Sequence, residues 1–177
     1  HACFWSHESN YLAKGDICFY LSYGKIVEKK ILKRFKNNLV VHESDLPYGR
    51  GWSPLTWQIL EKKNTIPFTL IEAEEKVDSG VIYKQKWYRF NGYELLPQLH
   101  RIQSKITNEL CVWFVNNYPH CLLKARKQLG RSTVYNRRYP YNSKLDVNLS
   151  IKDQFNLLRV LDNKDYPAYF ELDGNIY

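Results

Sequence analysis

The chain has 177 residues, of which 44% are hydrophobic and 15% aromatic, so it can bury the core of one domain and is not an intrinsically disordered chain. Its formal net charge of +8 favours an anionic partner, such as a nucleotide, a nucleic acid or a phosphorylated metabolite. It contains no run of about 18 apolar residues and no signal peptide, so the sequence predicts neither membrane spanning nor export.

The cysteines and the first residue also constrain the setting. Cys3, Cys18, Cys111 and Cys121 form no CxxC pair and mostly have apolar neighbours, so we expect buried thiols in a reducing, cytoplasmic environment. The chain begins with His1 and contains no methionine. We therefore expect that the segment before His1 is missing or has been removed.

The first half of the chain alternates between strand and helix patterns. Residues 2–5 and 16–23 are short aromatic and aliphatic runs that predict buried strands. Residues 25–35 have helical spacing of their apolar positions, and residues 39–41 predict another strand. A proline then opens a predicted helix over residues 55–62.

The middle of the chain contains two further strands and the longest helix. Residues 67–72 and 81–88 predict strands on either side of a loop. Residues 94–116 repeat their large apolar side chains every three or four positions, which predicts a core-facing helix. Residues 124–138 are basic, lack acidic residues and predict a loop or linker.

The last part of the chain predicts a small helix and a hairpin. Ser150 and Asp153 form a plausible capping box for a helix that continues to Leu161. Residues 168–172 and 175–177 flank an Asp-Gly turn, which is typical of a β-hairpin.

Two loop residues are the best candidates for chemistry. His42 follows the apolar strand of residues 39–41 and precedes a turn rich in proline and glycine, so it should project from the tip of a buried strand, where α/β proteins place functional groups. Asp78 follows 36 residues later, between two predicted strands. An imidazole beside a carboxylate can remove a proton from an amine or a hydroxyl near neutral pH. Each residue alone is as easily explained as a structural histidine or a turn aspartate.

Other common kinds of site are absent from the sequence. The histidines show no HxH or HExxH spacing, so we expect no protein-ligated metal. No GxSxG elbow is present, and no cysteine stands beside a histidine in a polar loop. The phosphate-binding patterns GxGxxG and GxxxxGK[ST] are also missing.

Three segments in register carry a family resemblance. Residues 42–60 resemble, without a gap, the HxSLLPxxRGxxP segment of the 10-formyltetrahydrofolate-dependent formyltransferases. Residues 77–80 (VDSG) are similar to the family's LDTG loop, and residues 21–26 (LSYGKI) are similar to its AYGxIL segment. Residues 155–170 resemble the C-terminal region of the branch that formylates nucleotide-linked amino sugars. Within that branch, the sequence of the first segment looks closest to enzymes of pseudaminic-acid-type pathways.

The resemblance implies a fold and an activity. The fold would be an α/β, Rossmann-like formyltransferase catalytic domain over residues 1–126, lacking its first strand-helix unit. Residues 127–177 would form a linker and a small C-terminal helix plus β-hairpin region. The activity would be formyl transfer from 10-formyltetrahydrofolate to the primary amine of a nucleotide-linked deoxyamino sugar. A methionyl-tRNA formyltransferase-like enzyme and a non-catalytic RNA-binding relative of the fold are the alternatives.

The resemblance also assigns roles to residues. His42 and Asp78 would be catalytic. The folate co-substrate would contact Ser22, Tyr23, Gly24, Lys25, Ile26, Leu46, Glu72 and Val77. The sugar nucleotide would contact Tyr48, Arg50, Trp52 and Lys124. We expect a small-molecule substrate and neither a membrane nor a nucleic-acid partner, and a homodimer is left open.

One position departs from the family pattern. The family usually has asparagine two residues before the histidine, where it helps to hold the formyl oxygen, but this chain has Val40. Asn38 should be too remote to replace it, since a strand advances about 3.3 Å per residue. We therefore expect a compensating donor, such as Ser44 or a backbone amide.

Overall fold

The computed structural model describes residues 2–177 and has a mixed β-sheet at its centre. The strands are β1 (Gly15–Phe19), β2 (Phe35–His42), β3 (Arg50–Gly51), β4 (Thr65–Glu72), β5 (Ile82–Arg89), β6 (Val134–Tyr135), β7 (Glu171–Leu172) and β8 (Asn175–Ile176). The α-helices are α1 (Lys29–Leu32), α2 (Pro54–Leu60), α3 (Leu96–Asn117) and α4 (Phe155–Arg159).

The central sheet has the strand order β1-β2-β4-β5. β1 and β2 run parallel, whereas β2 with β4 and β4 with β5 are antiparallel. The carboxyl ends of β1 and β2 therefore lie at the same end of the sheet. The predicted α/β fold is confirmed, and His42 is the last residue of β2 at this end.

The long helix α3 covers the sheet through one apolar stripe. Leu99, Ile106, Leu110 and Phe114 are buried on this helix at the predicted spacing. They join the same apolar cluster as Phe68 and other side chains of the sheet. Each such burial stabilises the fold by roughly 1.5–3 kcal/mol, so α3 anchors β4 and β5 and fixes where their connecting loop emerges.

Two predictions for the N-terminal part are wrong. Residues 2–5 form no strand, and Phe4 and Trp5 are 80% and 71% exposed, because no neighbouring strand is present there to pair with them. The helix predicted over residues 25–35 has only four residues, Lys29–Leu32, and Phe35 already begins β2. Apolar side chains at helical spacing here serve a short turn and the start of a strand.

The prediction of four buried thiols is also only partly right. Cys18 and Cys121 are buried, Cys111 is half-buried and Cys3 is exposed. Cys3 lies in the N-terminal segment that forms no strand, which explains its exposure.

The C-terminal elements follow the predicted order. The hydroxyl of Ser150 accepts a hydrogen bond from the Asp153 backbone N–H at 3.2 Å, but it caps a turn and not the helix. The helix α4 begins only at Phe155, after Gln154, and ends at Arg159 instead of Leu161. β7 and β8 form the expected terminal hairpin. Within residues 2–177, no helix is long and apolar enough to cross a bilayer.

Candidate active site

His42 occupies the predicted position at the tip of β2. It pairs in register with Thr69 on β4, and only 6% of its surface is exposed. A residue in such a place is held by the sheet on one side and by the following loop on the other. The imidazole is therefore a fixed group and not a mobile surface side chain.

A backbone carbonyl determines which ring nitrogen carries the proton. Nε2 of His42 lies 2.8 Å from the carbonyl oxygen of Gly49, which can only accept, so Nε2 donates. Gly49 has a φ of 73°, and a Cβ there would collide with the ring of Tyr135. The glycine thus allows the loop to turn its carbonyl back toward the imidazole, which leaves Nδ1 as the basic nitrogen.

Asp78 faces that basic nitrogen. Its Oδ1 atom is 3.6 Å from Nδ1 of His42, which is within ion-pair range but longer than a hydrogen bond. Its Oδ2 atom accepts a hydrogen bond of 2.8 Å from the backbone N–H of Gly51. The carboxylate is therefore oriented by the loop that follows His42. It lies close enough to Nδ1 to stabilise a positive charge on the imidazole when Nδ1 is protonated.

The conformation of the Asp78 loop is restricted. Asp78 has a φ of 52°, in the left-handed region that costs most residues about 1–2 kcal/mol. A Cβ at Gly80 would overlap the backbone carbonyl of Glu72. Contacts elsewhere must hold this loop, and they come from a part of the chain that the sequence suggested was a linker.

The basic segment contacts the histidine loop directly. β6 pairs in parallel with β3, and the backbone N–H of Gly49 donates to the hydroxyl of Thr133 at 2.8 Å. The side chain of Gln128 bonds the loop of Asp78. The sequence does not point to Gly49, Gln128 or Thr133, because neither a backbone carbonyl nor a single neutral side chain in an irregular segment leaves a pattern.

Ser44, the side chain expected as the compensating oxyanion donor, is buried, and Asn38, which was expected to be too remote, is engaged elsewhere. Val40 packs in a small apolar cluster. Asn38 accepts a hydrogen bond from Tyr20 and donates to the carbonyl of Leu32. The hydroxyl of Ser44 has no hydrogen-bond partner among the described residues, but Ser44 is fully buried, so the structure does not present it to a substrate.

Glu43 places a second buried acid next to His42. Its Oε1 atom accepts a hydrogen bond of 2.7 Å from the side chain of Gln103. Burial raises the pKa of the Glu43 carboxyl above its ordinary value, although the neighbouring His42 opposes that shift. Glu43 therefore resists ionisation, which limits the negative charge close to His42.

Among the co-substrate candidates, Glu72 is the one that lines a groove. Its carboxylate accepts hydrogen bonds from the backbone of Asn38 at 2.6 Å and from the Tyr83 hydroxyl at 2.8 Å. The groove has a volume of about 580 Å³, and its wall carries charges of both signs, with Lys29, Lys33 and Lys76 beside Glu72, Glu74 and Glu75. Lys29 is paired with Glu75 at 2.6 Å. This size is usual for a small-molecule site.

The remaining co-substrate candidates are divided between surface and interior. Residues 22–26 follow β1 and lie at the same end of the sheet as His42. The Tyr23 hydroxyl is hydrogen-bonded to that of Ser9 at 3.0 Å, and Lys25 is paired with Glu8 at 3.2 Å. Ser22 has a left-handed backbone, and Gly24 has open space around it. Ile26 and Val77 are exposed, whereas Leu46 is buried.

The substrate candidates form one cluster and one outlier. Tyr48, Arg50 and Trp52 lie on the histidine loop, and the two aromatic rings are about half exposed. The Arg137 guanidinium stands 5.0 Å from the Trp52 ring centre, and the Lys63 ammonium 5.1 Å from that of Tyr48. Lys124 is exposed in the turn after α3 and, among residues 2–177, forms no hydrogen bond or ion pair with this loop.

Comparisons with curated proteins identify relatives. The chain is 30% identical over 166 residues to the bifunctional polymyxin resistance protein ArnA of Wigglesworthia glossinidia brevipalpis, covering 89% of this chain and 24% of that protein. It is 33% identical over 173 residues to the methionyl-tRNA formyltransferase of Mycoplasma pneumoniae, covering 91% of this chain and 52% of that protein. The chain therefore spans about half, or less, of the length of these relatives. No protein-family model matches it.

Solved structures agree with those relatives. The methionyl-tRNA formyltransferase from Clostridium thermocellum superposes with a TM-score of 0.70 at 26% identity, covering 89% of this chain and 68% of that one. A 4-N formyltransferase from Francisella tularensis superposes with a TM-score of 0.69 at 21% identity, over 91% and 68% of the two chains. HypX from Aquifex aeolicus, solved in complex with tetrahydrofolic acid, shares the fold with a TM-score of 0.74 at 16% identity, over 91% and 28%. With the histidine and aspartate loops in the arrangement described above, the chain belongs to the formyltransferase family.

Proposed function

We propose that this chain transfers a formyl group from 10-formyltetrahydrofolate to the primary amine of a nucleotide-linked deoxyamino sugar. The observation that carries the proposal is the approach of His42 Nδ1 to Asp78 Oδ1, at 3.6 Å, at the tip of a central strand. Formyltransferases that act on different amines are among the relatives, which supports formyl transfer more directly than any one acceptor.

The two side chains divide the proton chemistry of acyl transfer. The acceptor amine forms a bond to the formyl carbon and must lose one proton, and the folate nitrogen that leaves must gain one. Nδ1 of His42 takes the proton from the amine, because Nε2 is already committed to Gly49. Asp78 stabilises the imidazolium that results, and His42 can then return the proton to the leaving nitrogen.

The groove beside Glu72 supports a folate co-substrate. Its volume suits a small molecule, and Lys33 or Lys76, rather than Lys29 in its ion pair with Glu75, could meet the acidic tail of a folate. The tetrahydrofolic acid complex of HypX, which has the same fold, supports this class of co-substrate. Glu72, which accepts hydrogen bonds from Asn37, Asn38 and Tyr83, would offer its remaining acceptor capacity to ring nitrogens of the folate.

The loop after His42 supports a sugar nucleotide as the acceptor. Tyr48 and Trp52 present half-exposed rings next to the catalytic pair, and Arg137 adds a cation beside Trp52. A flat base and a charged phosphate need this combination of ring and guanidinium. A sugar N-formyltransferase from Shewanella, which shares the fold at 20% identity, is among the structural relatives and supports the same substrate class.

Methionyl-tRNA is the second candidate acceptor. The relative at 33% identity is a methionyl-tRNA formyltransferase, and the net charge of +8 would favour RNA binding. A purely non-catalytic RNA-binding role is less well supported, because His42 and Asp78 lie side by side. That arrangement has no use in backbone recognition of RNA.

The test is product analysis by mass spectrometry. Protein expressed from its full reading frame is incubated with 10-formyltetrahydrofolate and either a panel of amino-sugar nucleotides or methionyl-tRNA. We expect one sugar nucleotide to gain a formyl group in place of a hydrogen. Formylation of the tRNA alone would favour the second candidate, and no product from any acceptor would refute the proposal.

Substitution of the pair checks that the activity belongs to this site. His42→Asn and Asp78→Asn should each reduce kcat by about 10²-fold or more, in the range of a lost general base. His120→Asn, in the turn after α3, is the matched control and should leave kcat unchanged. Near-normal turnover by either site variant would remove that residue from the mechanism.

A further inference from the structure

Gln128 connects the basic segment to the catalytic aspartate. Its Nε2 atom donates to the backbone carbonyl of Asp78 at 2.8 Å and to that of Gly80 at 2.9 Å. Its Oε1 atom accepts from the Arg50 guanidinium, at 2.6 Å from Nη2 and 3.2 Å from Nε. One half-buried amide therefore makes four hydrogen bonds, all to the two loops that form the site.

The geometry points to Gln128 as a positioning residue for Asp78, an inference that rests on the proposed formyl transfer. The two carbonyls it binds lie on either side of Ser79, so one amide group fixes two peptide planes of the loop. The carboxylate of Asp78 extends from the first of these residues. Its direction, with Oδ2 on Gly51 and Oδ1 toward His42, depends on that backbone.

The Asp78 loop needs such an attachment because its backbone is unfavourable by itself. Asp78 has a left-handed φ of 52°, and such residues persist only where surrounding contacts hold them. The two bonds from Gln128 are the contacts from outside the loop that hold its backbone carbonyls. Without them the loop can relax, and the 3.6 Å approach to His42 would lengthen.

Arg50 determines which way the amide of Gln128 faces. A guanidinium only donates, so the oxygen of the amide must face Arg50 and the nitrogen must face the two carbonyls. If the amide were flipped, its N–H groups would face the N–H groups of Arg50, and its oxygen would face the carbonyl oxygens of Asp78 and Gly80. Arg50, which the sequence suggested as a substrate contact, is thus engaged inside the protein through Gln128.

The activity test compares three variants. Gln128→Met keeps the length of the side chain but removes every hydrogen bond, and Gln128→Glu keeps the acceptor for Arg50 while removing the donors to the loop. Both should reduce kcat by about 10- to 100-fold, since small misplacements of catalytic groups have such effects, while KM for the formyl donor stays within about twofold. Lys127→Met, at the exposed neighbouring position, should match the wild type.

A double-mutant cycle separates positioning from general damage. In an Asp78→Asn background, Gln128→Met should cause little further loss of kcat, because there is no carboxylate left to position. An undiminished, additive loss in that background would overturn the inference.

A second measurement does not depend on turnover. The imidazole resonances of His42, assigned by their loss in His42→Asn, are titrated with pH by NMR. Gln128→Met should move the His42 midpoint in the same direction as Asp78→Asn, and Lys127→Met should not move it. A wild-type midpoint in Gln128→Met would refute the role of Gln128, whereas absence of product with the expected midpoint would refute only the proposed reaction.

Discussion

Glu43 follows His42 in the chain and is buried, with only 8% of the residue exposed. Its carboxyl has the amide of Gln103 as its partner. Because burial raises its pKa, the folded protein holds a proton on Glu43 more strongly than the unfolded chain does. Stability from this group is then greatest at low pH and falls as pH rises from the usual carboxyl range through the raised pKa.

Glu43→Gln should therefore stabilise the protein more at pH 8 than at pH 5. The neutral amide can keep a contact with Gln103 and never pays for a buried charge. Urea denaturation of the wild type and the variant at both pH values measures the difference in free energy of unfolding.

Glu109→Gln is the control with the opposite sign. The hydrogen bond from Lys86 lowers the pKa of the Glu109 carboxyl, so its contribution to stability is present above the usual carboxyl range and is lost as pH falls. This variant should be slightly less stable than the wild type at pH 8. A Glu43→Gln effect that is independent of pH would contradict the assignment of a raised pKa.

The sequence located His42 and Asp78 but not the atoms that orient them. Two loop motifs in register were enough to predict the pair, and the structure places them within 3.6 Å. The acceptor for Nε2 is a backbone carbonyl of Gly49, which every residue has. Gln128 is a neutral residue in a basic run, where charge dominated the interpretation. Such contacts follow from the fold and are not encoded by residue type.

At the scale of elements, the pairing of β3 with β6 is the least predictable feature. Each strand has two residues, which is too short for any alternation of polar and apolar side chains to be seen. α3, β4 and β5 were predicted to within two residues, because α3 buries apolar side chains at a helical spacing and β4 is a continuous buried run. β2 is longer than predicted and begins at Phe35, which had been assigned to a helix. Short elements depend on tertiary contacts, and this is also why residues 2–5 failed to form the expected strand.

Gly51 makes the close approach of these two strands possible. Its φ is 98°, and a Cβ at this position would overlap the backbone carbonyl of Tyr135, the acceptor for the Trp52 N–H at 3.0 Å. Gly51→Ala should therefore separate β3 from β6 and displace the N–H that binds Asp78.

We expect Gly51→Ala to lose more stability than Gly130→Ala and to reduce kcat. Gly130 has a similar φ of 104° but open space around it, so its variant suffers only the backbone penalty of about 1–2 kcal/mol. Overpacking should add roughly 1–3 kcal/mol to the loss in Gly51→Ala. Urea denaturation and steady-state kinetics measure both variants, and equal losses in the two would show that the strands can separate without consequence.

For the whole molecule, the four thiols differ in how accessible the fold leaves them to solvent. Cys3 is exposed, Cys18 and Cys121 are buried, and burial raises the pKa of the half-buried Cys111 to about 11. At pH 8 only about a thousandth of a thiol with such a pKa is thiolate, the form that reacts.

A thiol reagent at pH 8 should modify one cysteine rapidly in the native protein and four after unfolding in urea. Mass spectrometry of the modified protein should place the rapid adduct on Cys3, and a Cys3→Ser variant should show no rapid phase. Rapid modification of Cys18 or Cys121 would mean that the sheet or the turn after α3 opens readily.

The hydrogen bond between Gly49 and Thr133 joins two residues that are far apart in the sequence. Gly51 and Asp78 are separated by 27 residues, but Gly49 and Thr133 are separated by 84. By the logarithmic dependence of loop closure on length, the longer connection costs only about 1 kcal/mol more, which is comparable to the net value of one hydrogen bond. The stacked rings of Trp57 and Tyr135 and the pairing of the two short strands can offset that cost. During synthesis, the histidine and the aspartate emerge from the ribosome before the residues that align them, so the site is completed only after the segment of Thr133 has been made.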